Sequence, residues 1–259
     1  MLRKFLAAAA VVFGVGSIAL AATPLKVGVS AGPYADILRF TAEKAKKDGI
    51  DAEIIEFTDW TLPNEALNAG DIDLNNFQHQ PYLDNQVKTR GYDLVSVARS
   101  IIVPFGLYSK KLTSLAAIKD GATTAIPNDP SNAARGLQLL EKAGLIKLKP
   151  GAGAQATVAD IVANPKHLKI QELDAAQLPR ALDDLDFSVV SLNYALTAGL
   201  DPKKALLLED DHSQWNLVFA VKTKNKDNPA IKRFIEIYRS SEVKAYILNR
   251  FNGTILATW

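Results

Sequence analysis

Apolar and polar positions alternate along the chain in short blocks that predict strands and helices in turn. Lys26–Ser30 reads as a buried strand, and beyond Gly32 and Pro33 the positions Ala35, Leu38, Ala42 and Ala45 recur on one helical face. Lys44, Lys46 and Lys47 put positive charge in the last turn, where the helix dipole favours it, and Asp48-Gly49 ends the pattern. Strands follow at Ala52–Phe57, Ile72–Phe77 and Leu94–Ser100. Between them lie a short helix opened by Pro63 and stopped at Gly70, then a helix over Pro81–Arg90. A second series runs through an extended Pro104–Tyr108, a polar connection over Lys110–Gly121 and a strand at Thr123–Ile126. Pro130 opens a helix that Gly144 stops. Thr157–Ala163 predicts a short helix, Lys169–Leu173 a strand, Ala175–Leu182 a helix and Phe187–Leu192 a very apolar strand. Leu206–Leu208 and Asn216–Val221 are further strands, and Pro229–Phe251 is helical and amphipathic. This spacing implies an α/β fold of mostly parallel sheets flanked by helices, and two such series fit two lobes better than one continuous sheet.

The first 22 residues stand outside the repeat. A basic Arg3-Lys4 precedes an uncharged run from Phe5 to Ala22 that closes on Ala19-Leu20-Ala21, which reads as a secretory leader over residues 1–21. A membrane anchor is the competing reading, but the run is marginally short for one, and Gly14 and Gly16 suit cleavage better. Losing Arg3 and Lys4 would cancel the formal net charge of +2, leaving no general electrostatic reason to bind nucleic acid or anionic lipid. A hydrophobic content of 48% at that low charge excludes disorder. The chain has no cysteine, which excludes disulfides, a thiolate metal site, a cysteine nucleophile and a thioether-linked lipid. His79, His167 and His212 are too scattered to suggest a metal centre, and no cofactor motif is present.

Ligands of open α/β sheets bind beyond the carboxyl ends of strands. Three such places carry unusual residues: Asn75 to Tyr82, Pro127 to Arg135, and Ser191 to Tyr194. Each alone reads equally as a polar turn with its caps. Together they bring one cation, several amides and a set of aromatic rings, a combination that suits an amino acid with an apolar side chain. Arg135 can grip a carboxylate through two nitrogens, and the helix start at Pro130 adds backbone donors. Trp60, Phe77, His79 and Tyr82 could wall the side chain, each buried methylene contributing about 0.8 kcal/mol. The duller alternatives are a surface ion pair for Arg135, a satisfied half-buried His79, ordinary core for Phe77 and Trp60, and a helix cap for Asn193. Asn216 lies inside an apolar strand, where an amide needs a polar partner. No nucleophile elbow, phosphate loop or metalloprotease motif supports an enzyme, and Asp183, Asp184 and Asp186 read as solvated turn charges rather than metal ligands.

The segments Phe57 to Leu67, Gly70 to Leu83, Pro104 to Ser109, Ala125 to Arg135, Leu139 to Leu148 and Asp160 to Pro165 resemble, in order, the NlpA/MetQ family of methionine-binding proteins of ABC importers. The resemblance covers nearly all of the chain after the leader. It implies a two-lobe periplasmic-binding-protein fold of type II-like kind, with lobe 1 at residues 22–103 plus 221–259 and lobe 2 at 104–220. The crossings would fall near Ile102–Phe105 and Val218–Val221. It implies delivery of methionine, as L-methionine or a close derivative, to a permease with its ATPase, by a monomer without cofactor or metal; another apolar amino acid or a short peptide is the alternative ligand. Arg135 would hold the carboxylate, with Asn193 and Asn216 at the polar end and Trp60, Phe77, His79 and Tyr82 around the thioether; Asn132 is a further expected ligand-binding residue. Two departures matter. The family pattern has a lipobox cysteine after the leader, so its absence leads to the expectation of a freely soluble periplasmic protein. Position 60 is Trp where the pattern has Tyr, which reshapes the side-chain pocket.

Overall fold

The computed structural model describes residues 24–210 and 215–259; the leader expected over 1–21 lies outside the described residues. The first series is β1 (Leu25–Ser30), α1 (Pro33–Ala45), β2 (Ala52–Phe57), α2 (Leu62–Ala69), β3 (Leu74–His79), α3 (Gln80–Arg90) and β4 (Leu94–Ile102). The second begins with β5 (Phe105–Tyr108), β6 (Thr123–Pro127), α4 (Pro130–Lys142), and the small antiparallel pair β7 (Lys147–Leu148) and β8 (Ile161–Ala163). It continues with β9 (Lys169–Leu173), α5 (Leu178–Ala181), β10 (Phe187–Ser191), α6 (Leu192–Thr197) and β11 (Leu207–Leu208). The chain ends with β12 (Asn216–Lys222), α7 (Pro229–Tyr238), α8 (Ser241–Phe251) and β13 (Leu256–Ala257). A proline stands in the first turn of α1, α2, α3, α4 and α7, where its missing N–H costs no helical bond.

Among the described residues two larger sheets form, in the orders β13-β4-β12-β3-β1-β2 and β11-β5-β10-β6-β9. Both are covered on two faces, and the strands show it with period two. In β12, Leu217, Phe219 and Val221 join the core beneath α1 and α7, while Val218 and Ala220 join Leu67 of α2 and Leu83 of α3. In β10, Phe187 and Val189 pack with Leu137 of α4, and Val190 with Leu178 of α5. Such strands read as unbroken apolar runs because neither face meets water.

The sheets are mixed rather than mostly parallel. β2, β1 and β3 are parallel, as are β10, β6 and β9, but β12 and β13 run antiparallel to their neighbours in one sheet, and β5 and β11 do so in the other. Strand–helix alternation predicts the parallel units; the strands that carry the chain between sheets have no helix before them to fix a direction. The chain leaves the first sheet after Ile102 and enters the second at Phe105. It is back in the first sheet from Asn216, which pairs with Ile102. An apolar strand does not itself reveal which sheet accepts it.

Two further elements differ. The helix expected over Thr157–Ala163 is a single turn, Val158–Asp160, closed by reciprocal bonds between Thr157 and Asp160 and followed by β8. The cap is a true helix start, but Asn164-Pro165 leaves no room to continue. The helix expected over Pro229–Phe251 is two helices, because Ser240 caps a new one by accepting the Val243 N–H at 3.3 Å.

Candidate functional site

The carboxyl ends of β1, β3, β6 and β10 converge on a small, tightly lined cavity between the two sheets. Trp60, Phe77, His79 and Tyr82 line it from the first lobe, and Asn132 and Arg135 from the second. Gln78 and Ser191, from two of the segments marked in the sequence, also line it, as do Tyr34, Val103, Phe105 and Leu217, which carry no signal there. Asn193 and Asn216 do not form the lining but adjoin it in sequence, next to Ser191 and Leu217.

Each wall has a local cause. His79 ends β3 in extended backbone and caps α3, accepting the Tyr82 N–H at Nδ1 over 3.2 Å. Its Nε2 faces the side-chain oxygen of Asn132 at 2.9 Å and therefore carries the proton. This is a neutral imidazole, and burial, then the nearby Arg135 charge, push its pKa down to about 3. Asp129 caps α4, accepting from the Asn132 backbone at 3.0 Å, from its side chain and from Ser131, while burial pushes its pKa up. Trp60 sits in a turn tied by Asp59 to the Thr61 and Leu62 amides, and its carbonyl accepts the Tyr82 hydroxyl at 2.7 Å. Phe77 and Tyr82 meet edge to face at 5.8 Å between centroids, an arrangement that aromatic quadrupoles favour. Behind the cavity, the Gln78 amide donates to the side-chain oxygens of Asn64 at 2.6 Å and Asn75 at 3.0 Å, so a buried amide cluster joins β3 to α2.

Arg135 is 2% exposed and points off α4 toward the crossing between lobes. Its Nε donates to Glu209 Oε1 at 2.9 Å, its Nη2 donates to the Val103 carbonyl at 2.8 Å, and the same nitrogen bonds Glu209 Oε2. The guanidinium lies 3.9 Å over the Phe105 ring. A carboxylate entering the cavity therefore meets a guanidinium whose Nε edge is already spent, and Nη1 is the nitrogen with no bond to a described residue. Glu209 carried no sequence signal: after Leu206-Leu207-Leu208 it reads as the first of the turn charges Glu209-Asp210-Asp211.

Near this charge pair, Asn193 and Asn216 hold opposite halves of unused bonding capacity. The Asn193 oxygen accepts from Ser191 at 2.7 Å and from the Tyr34 hydroxyl at 3.3 Å, while its buried Nδ2 has no partner among the described residues. The buried Asn216 Oδ1 likewise has no partner among the described residues. Asn193 is not a helix cap, because α6 starts one residue earlier, at Leu192. Elsewhere, no acidic or histidine group among the described residues could hold a metal ion. Asp183 pairs with Lys110, and Asp186 accepts from Thr123, which accounts for two of the turn carboxylates.

The NlpA lipoprotein family model matches residues 25–259. The D-methionine-binding lipoprotein MetQ of Salmonella typhimurium is 45% identical over an alignment of 271 residues, covering 100% of both chains; that of Escherichia coli K12 is 44% identical, also over 100% of both. Among solved structures, a nutrient binding protein from Burkholderia cenocepacia bound to methionine has a TM-score of 0.88 at 50% identity, covering 91% of this chain and 100% of that one. The methionine binding protein MetQ gives 0.88 at 46%, covering 91% and 98%. These matches correct the expectation of a freely soluble periplasmic protein, since the family and the relatives are lipoproteins by name. A missing thiol excludes one attachment chemistry, the thioether, and does not establish a freely diffusing chain.

Proposed function

The chain belongs to the NlpA lipoprotein family, and from that premise we propose that it is the methionine-binding protein of an ABC importer, handing its ligand to a permease with its ATPase, without chemistry of its own. The observation that carries this reading is the cavity between the lobes, lined by one guanidinium and a set of aromatic rings, in a chain 50% identical to a protein solved bound to methionine.

In this reading the ligand carboxylate takes the Nη1 side of Arg135 and the unpaired Asn193 Nδ2, and the ammonium takes the Asn216 oxygen. The thioether then lies among Phe77, Tyr82 and Trp60, with Asn132 and His79 closing the wall between lobes. A zwitterion fits because His79 is neutral and the Arg135 charge already has a counter-ion, so the chamber needs no further net charge. We place lobe 1 at residues up to 103 plus the segment from Asn216, lobe 2 between them, and the working unit at one chain. Cross-lobe bonds from His79 to Asn132, Tyr34 to Asn193 and Tyr194 to the Thr58 carbonyl belong to the closed form. Methionine favours closure only by the contacts it gains there, and opening on the permease releases it.

Calorimetry on ligand-stripped protein with L- and D-methionine is the test, both enantiomers being needed because the relatives are named for D-methionine. Saturable one-to-one heat with either is the expected result; heat only with another amino acid or a short peptide would replace the ligand.

A further inference from the structure

Glu209 is the largely buried charged group beside the chamber to which this binding reading gives no ligand contact. It stands just after β11 and spends both carboxylate oxygens: Oε1 on Arg135 Nε at 2.9 Å, and Oε2 on the Arg135 Nη2 and on the Phe105 backbone N–H at 2.9 Å. Its side chain is 10% exposed and that of Arg135 is 2%, so the pair exchanges charge with each other far more than with water. The other groups lining the chamber do not alter the count. His79 is neutral, the Tyr34 phenol is held well above its ordinary range by burial, and Asp129, tied to Asn132 and Ser131 at the start of α4, does not line the chamber.

We propose that Glu209 determines the net charge of the ligand this site accepts. By neutralising Arg135 it makes the chamber suit a molecule carrying both carboxylate and ammonium, and turns away a carboxylate that lacks the ammonium. The reasoning is electrostatic. A zwitterion brings no net charge into a neutral chamber, whereas methionine without its amino group, 4-(methylthio)butanoate, would bring one uncompensated negative charge beside a carboxylate. Without the Glu209 charge the discrimination weakens, because the bare guanidinium then favours an anion and the zwitterion leaves a buried positive charge unbalanced. Glu209 is thus a positioning and specificity residue acting through Arg135. It also anchors that arginine to Phe105, at the entry to the second lobe.

The proposal rests on the methionine-binding reading, and the experiment separates the two. Full-chain protein, stripped of ligand, is titrated with methionine and with 4-(methylthio)butanoate, as wild type and as Glu209→Gln, which keeps the volume and an acceptor oxygen. Wild type should prefer methionine at least 100-fold. In Glu209→Gln that preference should fall at least tenfold, with the affinity for 4-(methylthio)butanoate rising in absolute terms. Equal weakening toward both compounds, or an unchanged preference, overturns the role of Glu209. Should the variant not fold, the wild-type arm still decides: comparable affinity for the two compounds overturns the proposal. No binding of methionine by wild type overturns the underlying reading instead. Asn216→Ala is the control, since losing an ammonium contact lowers the preference without raising affinity for the butanoate.

Discussion

Truncating Arg135 would remove the proposed carboxylate contact and strand Glu209 at the same time. Leaving one member of a buried ion pair alone costs about 3–5 kcal/mol, so Arg135→Ala should melt well below wild type as well as lose methionine. The double variant Arg135→Met with Glu209→Gln removes both charges and should recover most of the melting temperature while calorimetry still shows no methionine heat; retained binding would take the carboxylate away from Arg135. His79 makes a second prediction, in pH. Its folded pKa of about 3 lies below the ordinary histidine value, so the unfolded chain binds a proton that the folded chain refuses. The stability from its neutral form is complete above about pH 6.5 and falls by about 1.4 kcal/mol per unit between there and about pH 3. His79→Asn keeps a capping oxygen and removes the titration, so its denaturation midpoints at pH 7, 6 and 5 should decline less than those of wild type. At this scale Arg135 was legible, because a charged residue among Ala133, Ala134, Gly136 and Leu137 on a helix asks for a reason. Glu209 was not, since an acidic residue after a leucine run has an ordinary explanation at the surface, and only the fold carries it inward.

Helix starts were the most readable elements, because a first-turn proline acts locally: it fixes φ and removes a donor whatever packs above it. Strand direction was not readable where the chain changes sheets, because that choice is made by partners distant in sequence; β12 pairs with both β3 and β4. The turn from β1 into α1 joins the two cases. Gly32 has φ +99°, and a Cβ there would sit 2.8 Å from the Thr197 hydroxyl of α6, so the turn needs glycine for its conformation and for the approach of the second lobe. Two residues on, Tyr34 reaches Asn193. Gly32→Ala should therefore destabilise by about 1–3 kcal/mol from backbone strain, measured by urea denaturation, and weaken methionine by displacing Tyr34. Adding Thr197→Ala relieves the clash but not the φ, so recovery should be partial; full recovery would mean that contact rather than conformation sets the cost.

Closure is a property of the whole molecule, and its energy is divided among few bonds. The two largest buried clusters lie one beneath α1 and α7 and one around α4, with Leu192 of α6 reaching into the first and Trp60 packing on the second, so each lobe has a core of its own and few apolar contacts cross between them. Across the chamber the neutral His79–Asn132 bond spans the lobes at 2.9 Å without needing a ligand. Asn132→Ala removes it and leaves the α4 cap intact, because Asp129 still accepts the backbone N–H of residue 132. A bond of this kind contributes about 0.5–1.5 kcal/mol, so the closed-to-open ratio of the ligand-free protein should drop by about two- to tenfold. The apparent methionine Kd should rise by up to that factor, provided closure precedes tight binding and the ligand contacts are unchanged. Small-angle scattering gives the independent reading: the ligand-free variant should have a larger radius of gyration than wild type, and saturating methionine should return it to the wild-type value. Phe77→Ala is the contrast, removing a wall of the thioether pocket without touching a cross-lobe bond, so it should weaken methionine and leave the ligand-free dimensions alone. If Asn132→Ala weakens binding with unchanged dimensions, Asn132 acts on the ligand and the lobes are held by something other than this bond.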